Sequence, residues 1–277
     1  MGSALGRGRA AFAWGGPARL LVAGAVITLG VAGLAAAVGA AVVVAVADLG
    51  WIGIAIEGVA LKTTLSLRGL ARSALAVADD LARADLAAAR AAVGRDLVSR
   101  PTASLEAGDV ASAAVESVAE NLTDAFVGPV LFFLAFGLPG AVVYRVINTA
   151  DAMIGYREGV LVYFGRAAAR LDDAINLVPA RLAALALVLA APLVGGRGGG
   201  ALATMRRDHG RTASPNAGWT MAAMAGALGV ALAKPGAYRL GDGRPPMADD
   251  VVRSVRTMAV AAALALPVAV ALALALP

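Results

Sequence analysis

Glu116, Glu120 and Asp124 recur every four residues in Ala114-Val-Glu-Ser-Val-Ala-Glu-Asn-Leu-Thr-Asp124. The stretch reads as helix, and the i, i+4, i+8 spacing puts all three carboxylates on one face. Like charges at this spacing repel, so a helix selected for stability alone avoids them. In a soluble protein the plain reading is a solvated acidic face. Here the helix runs straight into the apolar segment Ala125–Tyr144, which sets the acids at the edge of a membrane, with Asn121 beside them. A hard cation would relieve the repulsion, and carboxylate oxygens suit Mg2+. The spacing therefore predicts a metal site at Glu116, Glu120 and Asp124, with Asn121 among the catalytic groups.

Further along, Asp151, Asp172 and Asp173 make a second acidic group. Arg166 and Arg170 stand one turn apart, and Arg181 follows. Guanidinium forks suit bidentate capture of phosphate or carboxylate. The competing reading is local ion pairs, such as Arg170–Asp173, that only seat helices. Asn148, Asn176 and Asn216 can orient amide groups, or can cap helices and shape turns. His209 lies in the basic, Gly-flanked stretch Met205-Arg-Arg-Asp-His-Gly-Arg211. It could serve as a general base, although a surface histidine without a catalytic role is the plainer reading. No Gly-x-x-x-x-Gly-Lys-Ser/Thr occurs, so a nucleotide site would have to be built another way.

These residues must be positioned by membrane elements. Of 277 residues, 60% are hydrophobic and 16% charged, with mean hydropathy +0.77. That composition does not belong to a soluble domain. There is no cysteine and one histidine, which excludes disulfides, thiolate metal sites and multi-histidine sites within one chain. The net charge of +5 fits arginines flanking membrane segments on the cytoplasmic side. It is too small and scattered to indicate nucleic acid.

Residues 1–19 carry Arg7, Arg9 and Arg19 and no acid, the pattern of a signal-peptide n-region. The uncharged run from Leu20 to Ala47 is too long for a signal core and predicts a retained anchor. Two spans over 20–38 and 41–61, broken near Gly30, Gly33 or Gly39, are the preferred division. One long span plus an interfacial piece is the alternative. Helical spacing of Leu67, Leu70, Ala74, Val77 and Leu81 predicts an amphipathic helix, with a second from Asp85 to Val98. Asp109 is placed as N-cap of the carboxylate helix. Pro129 and Gly137-Leu-Pro-Gly140 interrupt the next apolar segment and predict a re-entrant hairpin or broken helix, covered by protein. Leu182–Gly196 is a further apolar run. Thr212–Ala233 reads as a span or an interfacial helix, and Thr257–Pro277 as a final span.

The predicted fold class is all-α: a polytopic helical membrane protein with about four or five membrane segments, one of them re-entrant or broken, plus amphipathic helices on the cytoplasmic side. The predicted organisation is a single membrane domain over 1–277. It comprises N-terminal membrane segments (20–61), cytoplasm-facing helices (62–124), a core bearing the motifs (125–233) and a C-terminal span (256–277). The active face is predicted to be cytoplasmic.

Four blocks together resemble one family. They are Ala113-Ala-Val-Glu-Ser-Val-Ala-Glu-Asn-Leu-Thr-Asp124; Tyr144-Arg-Val-Ile-Asn-Thr-Ala-Asp-Ala-Met-Ile-Gly-Tyr156; Phe164-Gly-Arg-Ala-Ala-Ala-Arg-Leu-Asp-Asp173 continuing to Asn176-Leu-Val-Pro-Ala-Arg181; and Ser214-Pro-Asn-Ala-Gly-Trp219 with Ala222-Ala-Met-Ala-Gly-Ala-Leu228. In order and spacing, from about Lys62 to Ala233, the chain resembles the adenosylcobinamide-phosphate synthase family (CobD/CbiB) of cobalamin biosynthesis. The resemblance implies a multi-pass membrane enzyme. Its reaction joins adenosylcobyric acid to (R)-1-amino-2-propanol phosphate, or the free amino alcohol, by ATP- and Mg2+-dependent amide formation. It also implies substrate contacts at Asn148, Tyr156, Arg166, Arg170, Asn176, Arg181, His209, Ser214, Asn216 and Trp219, and catalytic roles for Glu116, Glu120, Asn121, Asp124, Asp151, Asp172 and Asp173. Expected partners are the corrinoid, aminopropanol phosphate and the lipid bilayer, with a homo-oligomer or late-pathway enzymes left open. Family members usually open on a further apolar segment with Gly-Asp-Pro and His-Pro stretches, which has no counterpart here and predicts a shortened relative or a misplaced start. The family's Gly-Arg-Asp-Thr reads Ser99-Arg-Pro-Thr102, with Gly94-Arg-Asp96 just upstream as the alternative match.

Two readings compete with the enzyme. A corrinoid transporter or carrier would place ionisable residues inside the apolar runs, where Glu57 is nearly alone. A scaffold for soluble enzymes leaves the acid and arginine clusters without a role.

Overall fold

The computed structural model describes residues 2–275. Its helices, in chain order, are α1 (Gly2–Phe12), α2 (Pro17–Val46), α3 (Trp51–Lys62), α4 (Leu67–Ala82), α5 (Leu86–Asp96), α6 (Ala107–Leu122), α7 (Gly128–Ile154), α8 (Leu161–Phe164), α9 (Arg166–Ile175), α10 (Leu177–Leu193), α11 (Gly198–Asp208), α12 (Ala217–Leu228) and α13 (Ala248–Ala275). Between α12 and α13 a short antiparallel ladder pairs β1 (Leu232–Lys234) with β2 (Tyr238–Leu240), with Lys234 opposite Tyr238. The all-α membrane fold expected from the sequence is borne out. Among the described residues, three stretches are long and apolar enough to cross a membrane: Pro17–Leu49, Ala107–Ile154 and Ala248–Ala271. A fourth appears if α9 and α10, bent at the residue between them, count as one span.

The chain packs as two compact units: one ends at Leu65 and resumes over Gly128–Asn176, and the other comprises Ser66–Val127 and Leu177 onward. In the first unit, α2 runs unbroken for 30 residues, roughly 45 Å of helix. The preferred division into spans 20–38 and 41–61 therefore gives way to one long helix followed by the short α3. Gly30 and Gly33 face open space and force no break. The turn comes later, at Gly50, whose φ of 54° suits glycine. Val22, Val26, Leu29, Leu34, Val38 and Val44 stay exposed along α2, as lipid-facing side chains do. The opposite side of α2 enters a core of Leu5, Leu20, Ala150, Ile154, Leu161, Phe164 and Ala168.

Helix α7 breaks where the sequence placed the break. Gly137 has φ 65° and ψ −162°, a region essentially reserved for glycine, and Pro139 follows. The chain then doubles back. Phe132 and Tyr144, about 18 Å apart along a straight helix, bring their ring centroids to 5.2 Å. A Cβ on Gly140 would overlap the Phe132 carbonyl. The arm 128–136 is roughly 13 Å long, far short of a hydrocarbon core of about 30 Å. It is a helical hairpin, and the arms of α7 satisfy their own backbone groups.

The second unit is centred on α6 and α12. Every residue of α6 from Val110 to Ala119 is buried, as is α12 except Trp219. The packing of α12 relies on small residues: Cβ atoms on Gly200 and Gly226 would drive into the opposing backbone, which explains a glycine-rich start to α11. The region expected to be a basic loop is the end of α11 plus a 3-10 turn, His209–Arg211. The amphipathic pair α4 and α5 forms as expected, and the Asp85 carboxylate caps α5 by accepting from the Ala88 N–H at 2.9 Å. Asp109 is not the N-cap of α6. It occupies the third helical position and accepts from the Glu106 N–H at 3.3 Å, so Glu106 is the cap. Thr212–Ala233 forms no span but the buried α12 and a strand. The C-terminal helix begins at Ala248, earlier than expected, and the last two positions of the predicted span lie outside the described residues.

Two buried aspartates tie the loops to this unit. Asp250 accepts from Arg244 (2.6 and 3.2 Å), Arg253 (3.2 Å) and the Met247 N–H (2.9 Å) at the start of α13. Asp208 accepts from both arms of Arg207 (2.8 and 2.7 Å) and from the Gly241 N–H (2.8 Å), with Arg211 at 3.2 Å. The Arg207 hydrogen bonds hold the Asp208 carboxyl below its usual range. A depressed pKa stabilises the fold above the unfolded carboxylate value of about 4, and that stability is lost as pH falls through the folded value. Asp208→Asn is expected to cost on the order of 2 kcal/mol at neutral pH. The gap in melting temperature between wild type and variant should close on acidification below pH 4. A gap independent of pH would mean the carboxylate charge is not what stabilises.

Candidate functional sites

The side chains singled out by type and spacing gather in three places, each within one unit. The first is a cleft of about 210 Å3 beside α6, lined by Ser99, Arg100, Glu116, Ser117, Glu120, Asn121, Lys234 and Tyr238 among others. Glu116 is 6% exposed, yet fully engaged. Ser112 Oγ donates to its Oε1 at 2.7 Å, Tyr238 OH donates to its Oε2 at 2.8 Å, and Arg100 Nη2 stands 3.9 Å from Oε2. Ser112 also accepts the Ala233 N–H at 2.8 Å, which locks the β-hairpin to α6. Burial first, then the Glu116 charge, pushes the Tyr238 hydroxyl upward, so it remains a donor. Asn121 Nδ2 donates to Ser117 O (2.9 Å) and Oγ (3.2 Å), and Glu120 is exposed in the opening.

Asp124 does not line this cleft. Thr123–Val127 forms a π-turn, which breaks the 3.6-residue register after Leu122. Among the described residues, no three of Asp, Glu or His stand close enough to hold a metal. The three-carboxylate cage expected from Glu116, Glu120 and Asp124 does not fit this structure, because Glu116 is committed to Ser112, Tyr238 and Arg100. Of the two candidate matches to the family's arginine motif, Arg100 reaches the cleft, whereas Arg95 pairs with Asp96 on the surface. Replacing Tyr238 by Phe removes one donor to a buried carboxylate, at an expected cost of about 1–3 kcal/mol. A melt indistinguishable from wild type would mean that the hairpin does not hold Glu116.

The second place lies in the other unit. Asp172 Oδ1 accepts from Asn148 Nδ2 at 3.3 Å and Oδ2 from Asn176 Nδ2 at 3.1 Å, and Tyr144 OH donates to Asn176 Oδ1 at 2.6 Å. Asp151 is close enough to feel the charges of Asp172 and Asp173. Tyr156, Arg166, Arg170 and Asp173 line an adjoining cleft with Arg157.

The third is the turn before α12. Arg181 Nη1 donates to Asn216 Oδ1 at 2.6 Å and Nη2 to Pro215 O at 3.2 Å, with its guanidinium 4.8 Å from the centre of the Trp219 ring. His209 lies against that ring with centroids 4.0 Å apart, its Nδ1 3.0 Å from Met205 O. Ser214 Oγ accepts the N–H groups of Asn216 and Ala217 at 3.2 and 3.4 Å. Gly218 is glycine for a reason: a Cβ there would overlap the His209 carbonyl. The motif Ser-Pro-Asn-x-Gly-Trp thus builds a packed Arg–Trp–His stack.

Lys234 and Tyr238 went unrecognised in the sequence, and Arg100 stood out only as one of two matches to a motif, with no partner assigned. The one local signal for the hairpin is Pro235-Gly236 between two short apolar pieces.

The chain matches the family described as CobD/Cbib protein over residues 1–267. It is 46% identical over 199 residues to "Cobalamin biosynthesis protein CobD" of Dehalococcoides mccartyi, covering 70% of this chain and 62% of that relative. To "Probable cobalamin biosynthesis protein CobD" of Methanothermobacter thermautotrophicus it is 43% identical over 187 residues, 68% of this chain and 62% of the relative. To the like-named protein of Methanocaldococcus jannaschii it is 45% identical over 146 residues, 53% and 48% of the two chains. The matched part is thus less than two thirds of the length of these curated relatives. No solved structure matches at a significant level. With a family match spanning nearly the whole chain and all four motif blocks inside it, the chain belongs to the CobD/Cbib protein family.

Proposed function

We propose that this chain is a membrane enzyme of cobalamin biosynthesis that forms the amide between a carboxylate of adenosylcobyric acid and the amine of (R)-1-amino-2-propanol or its phosphate, with ATP and Mg2+ as the energy source. The observation that carries this reading is the family match over residues 1–267. A carboxylate does not condense with an amine at neutral pH unless its oxygen is first made a leaving group. ATP supplies this: the carboxylate oxygen attacks the γ-phosphorus, ADP departs, and the amine nitrogen then displaces inorganic phosphate.

In this reading the Glu116 cleft serves the amine. Glu120, exposed on the wall, accepts hydrogen bonds from the ammonium group as it binds. The nitrogen attacks as the free amine, its first proton having gone to solvent, and Glu120 takes the second proton as the C–N bond forms and phosphate leaves. Asn121 orients the same nitrogen. Arg100 and Lys234 offer positive charge to an anionic oxygen across the cleft. Glu116 is a positioning residue, holding Tyr238 and Arg100 in place. Mg2+ would arrive on the nucleotide phosphates, and no residue of this chain is assigned to hold it. The cleft is proposed to face the cytoplasm, where nucleotide and corrinoid precursors are found.

The test is incubation of the detergent-purified protein with adenosylcobyric acid, ATP, Mg2+ and either aminopropanol or its phosphate, followed by mass spectrometry of the corrinoids. Gain of one amine with loss of one water is expected. No corrinoid product from a protein that melts cooperatively overturns the reading.

A further inference from the structure

Arg100 reaches the Glu116 cleft from residues 97–106, a loop without regular structure between α5 and α6. Its side chain is only 21% exposed, yet among the described residues no acceptor takes a hydrogen bond from its guanidinium. Glu116 Oε2 stands 3.9 Å away, beyond hydrogen-bond reach. The fork is therefore not held at its tip. Where it points is decided by the backbone that carries it.

That backbone is pinned on both sides of Arg100. Before it, the N–H groups of Leu97 and Val98 both donate to Val93 O at 3.0 Å, and Leu97 O accepts from Ser117 Oγ of α6 at 3.2 Å. After it, Thr102 Oγ1 donates to Arg90 O at 2.8 Å, and Arg90 Nε donates to Leu105 O at 2.7 Å. The Leu105 N–H donates to Thr102 O at 3.1 Å, so Arg90, Thr102 and Leu105 form a closed ring of hydrogen bonds. Leu105 is buried and anchors the far end. Gly94 leaves room for the contact, since a Cβ there would stand 2.7 Å from the Thr102 hydroxyl oxygen. Pro101 adds a covalent restraint: its ring fixes its own φ and confines the residue before it to extended backbone. Only Val98, Ser99, Arg100 and Pro101 lie between the pins, and the first three line the cleft.

Neither Arg90 nor Thr102 lines the cleft, so both act on its contents only through the loop. We propose that Arg90 and Thr102 are positioning residues, which clamp the loop onto α5 and so aim Arg100 into the cleft. The proposal rests on the reading of this cleft as the amine site. A guanidinium aimed in advance loses less freedom when an anionic oxygen arrives, and that saving appears in substrate binding. A clamp that served stability alone would act the same way whatever side chain stood at position 100.

The chain has no cysteine, so Ser99→Cys, at an exposed position between the pins, carries a single spin label. Paramagnetic resonance in detergent should show a more mobile label when Thr102→Val or Arg90→Gln is added. Thr102→Ser keeps the donor and should restore the wild-type line shape. Arg95→Gln, in a surface pair with Asp96, should leave it unchanged. In the unlabelled protein Thr102→Val should raise the KM for the amine about tenfold and Thr102→Ser should bring it back. Added to Arg100→Gln, Thr102→Val should raise KM no further, because its effect passes through that side chain. A label equally ordered in both clamp variants overturns the proposal. So does a Thr102→Val loss that adds in full to that of Arg100→Gln, or an unchanged KM in Thr102→Val beside a raised one in Arg100→Gln. A loosened label together with a wild-type KM in Arg100→Gln supports the clamp and overturns instead the reading of the cleft.

Discussion

Glu120→Gln is expected to cut amide formation by about a hundredfold or more while leaving the melting temperature unchanged. Glu120 is exposed at the mouth of the cleft, so a glutamine of the same size opens no cavity there. Glutamine keeps the size and the carbonyl oxygen, and loses only the ability to take a proton and to pair with an ammonium group. The neighbouring carboxylate responds differently. Glu116 is buried and holds Arg100, Ser112 and Tyr238, so Glu116→Gln should lower stability and activity together. The measurement is turnover against amine concentration, with a detergent melt of each variant. Wild-type turnover in a normally folded Glu120→Gln protein would remove Glu120 from the mechanism.

The difference between these two glutamates was not legible in their spacing. Periodicity places Glu116, Glu120 and Asp124 on one side of a helix, and two of the three do reach one cleft. It says nothing of what packs on that side. The partners of Glu116 come from Arg100, in a loop without periodicity, and from Tyr238, 122 residues away on a strand of three residues. Three residues are too few to show alternation, and the pairing across that distance leaves no local trace. Asp124 left the set because of a π-turn, which a pattern of period 3.6 cannot anticipate. By contrast, the break in α7 was legible because Gly137-Leu-Pro-Gly140 acts through backbone chemistry that needs no tertiary context. The division of 20–61 failed for the opposite reason. Glycines facing open space allow a helix to continue, and the chain turns only at Gly50, where φ is positive. The Arg181–Asn216–Trp219 contacts were foreshadowed only as residues of adjoining motif blocks. Their meeting depends on Gly218 letting the backbone of His209 come close.

Gly128→Ala should act at a distance, through the hairpin, on the Asp172 network. A Cβ on Gly128 would overlap the Tyr144 ring. That ring cannot step aside cheaply, since it is fully buried and packed on Phe132 at 5.2 Å. Overpacking of this kind costs about 1–3 kcal/mol. The displaced ring would also withdraw its hydroxyl from Asn176 Oδ1, now 2.6 Å away, and an orphaned buried acceptor adds about 1–3 kcal/mol. Asn176 in turn donates to Asp172, so the carboxylate loses a support that Asn148 alone does not replace. The variant is therefore expected to lose roughly 2–6 kcal/mol in a detergent melt. Tyr144→Phe isolates the hydroxyl: it keeps the packing and should lose only the smaller, hydrogen-bond share. Tyr144→Ala in the Gly128→Ala background makes room for the new methyl group, so the two substitutions together should cost less than the sum of their separate effects. Strict additivity in that double-mutant cycle would show that Gly128 and Tyr144 do not press on one another, and that the arms of α7 are not held by this contact.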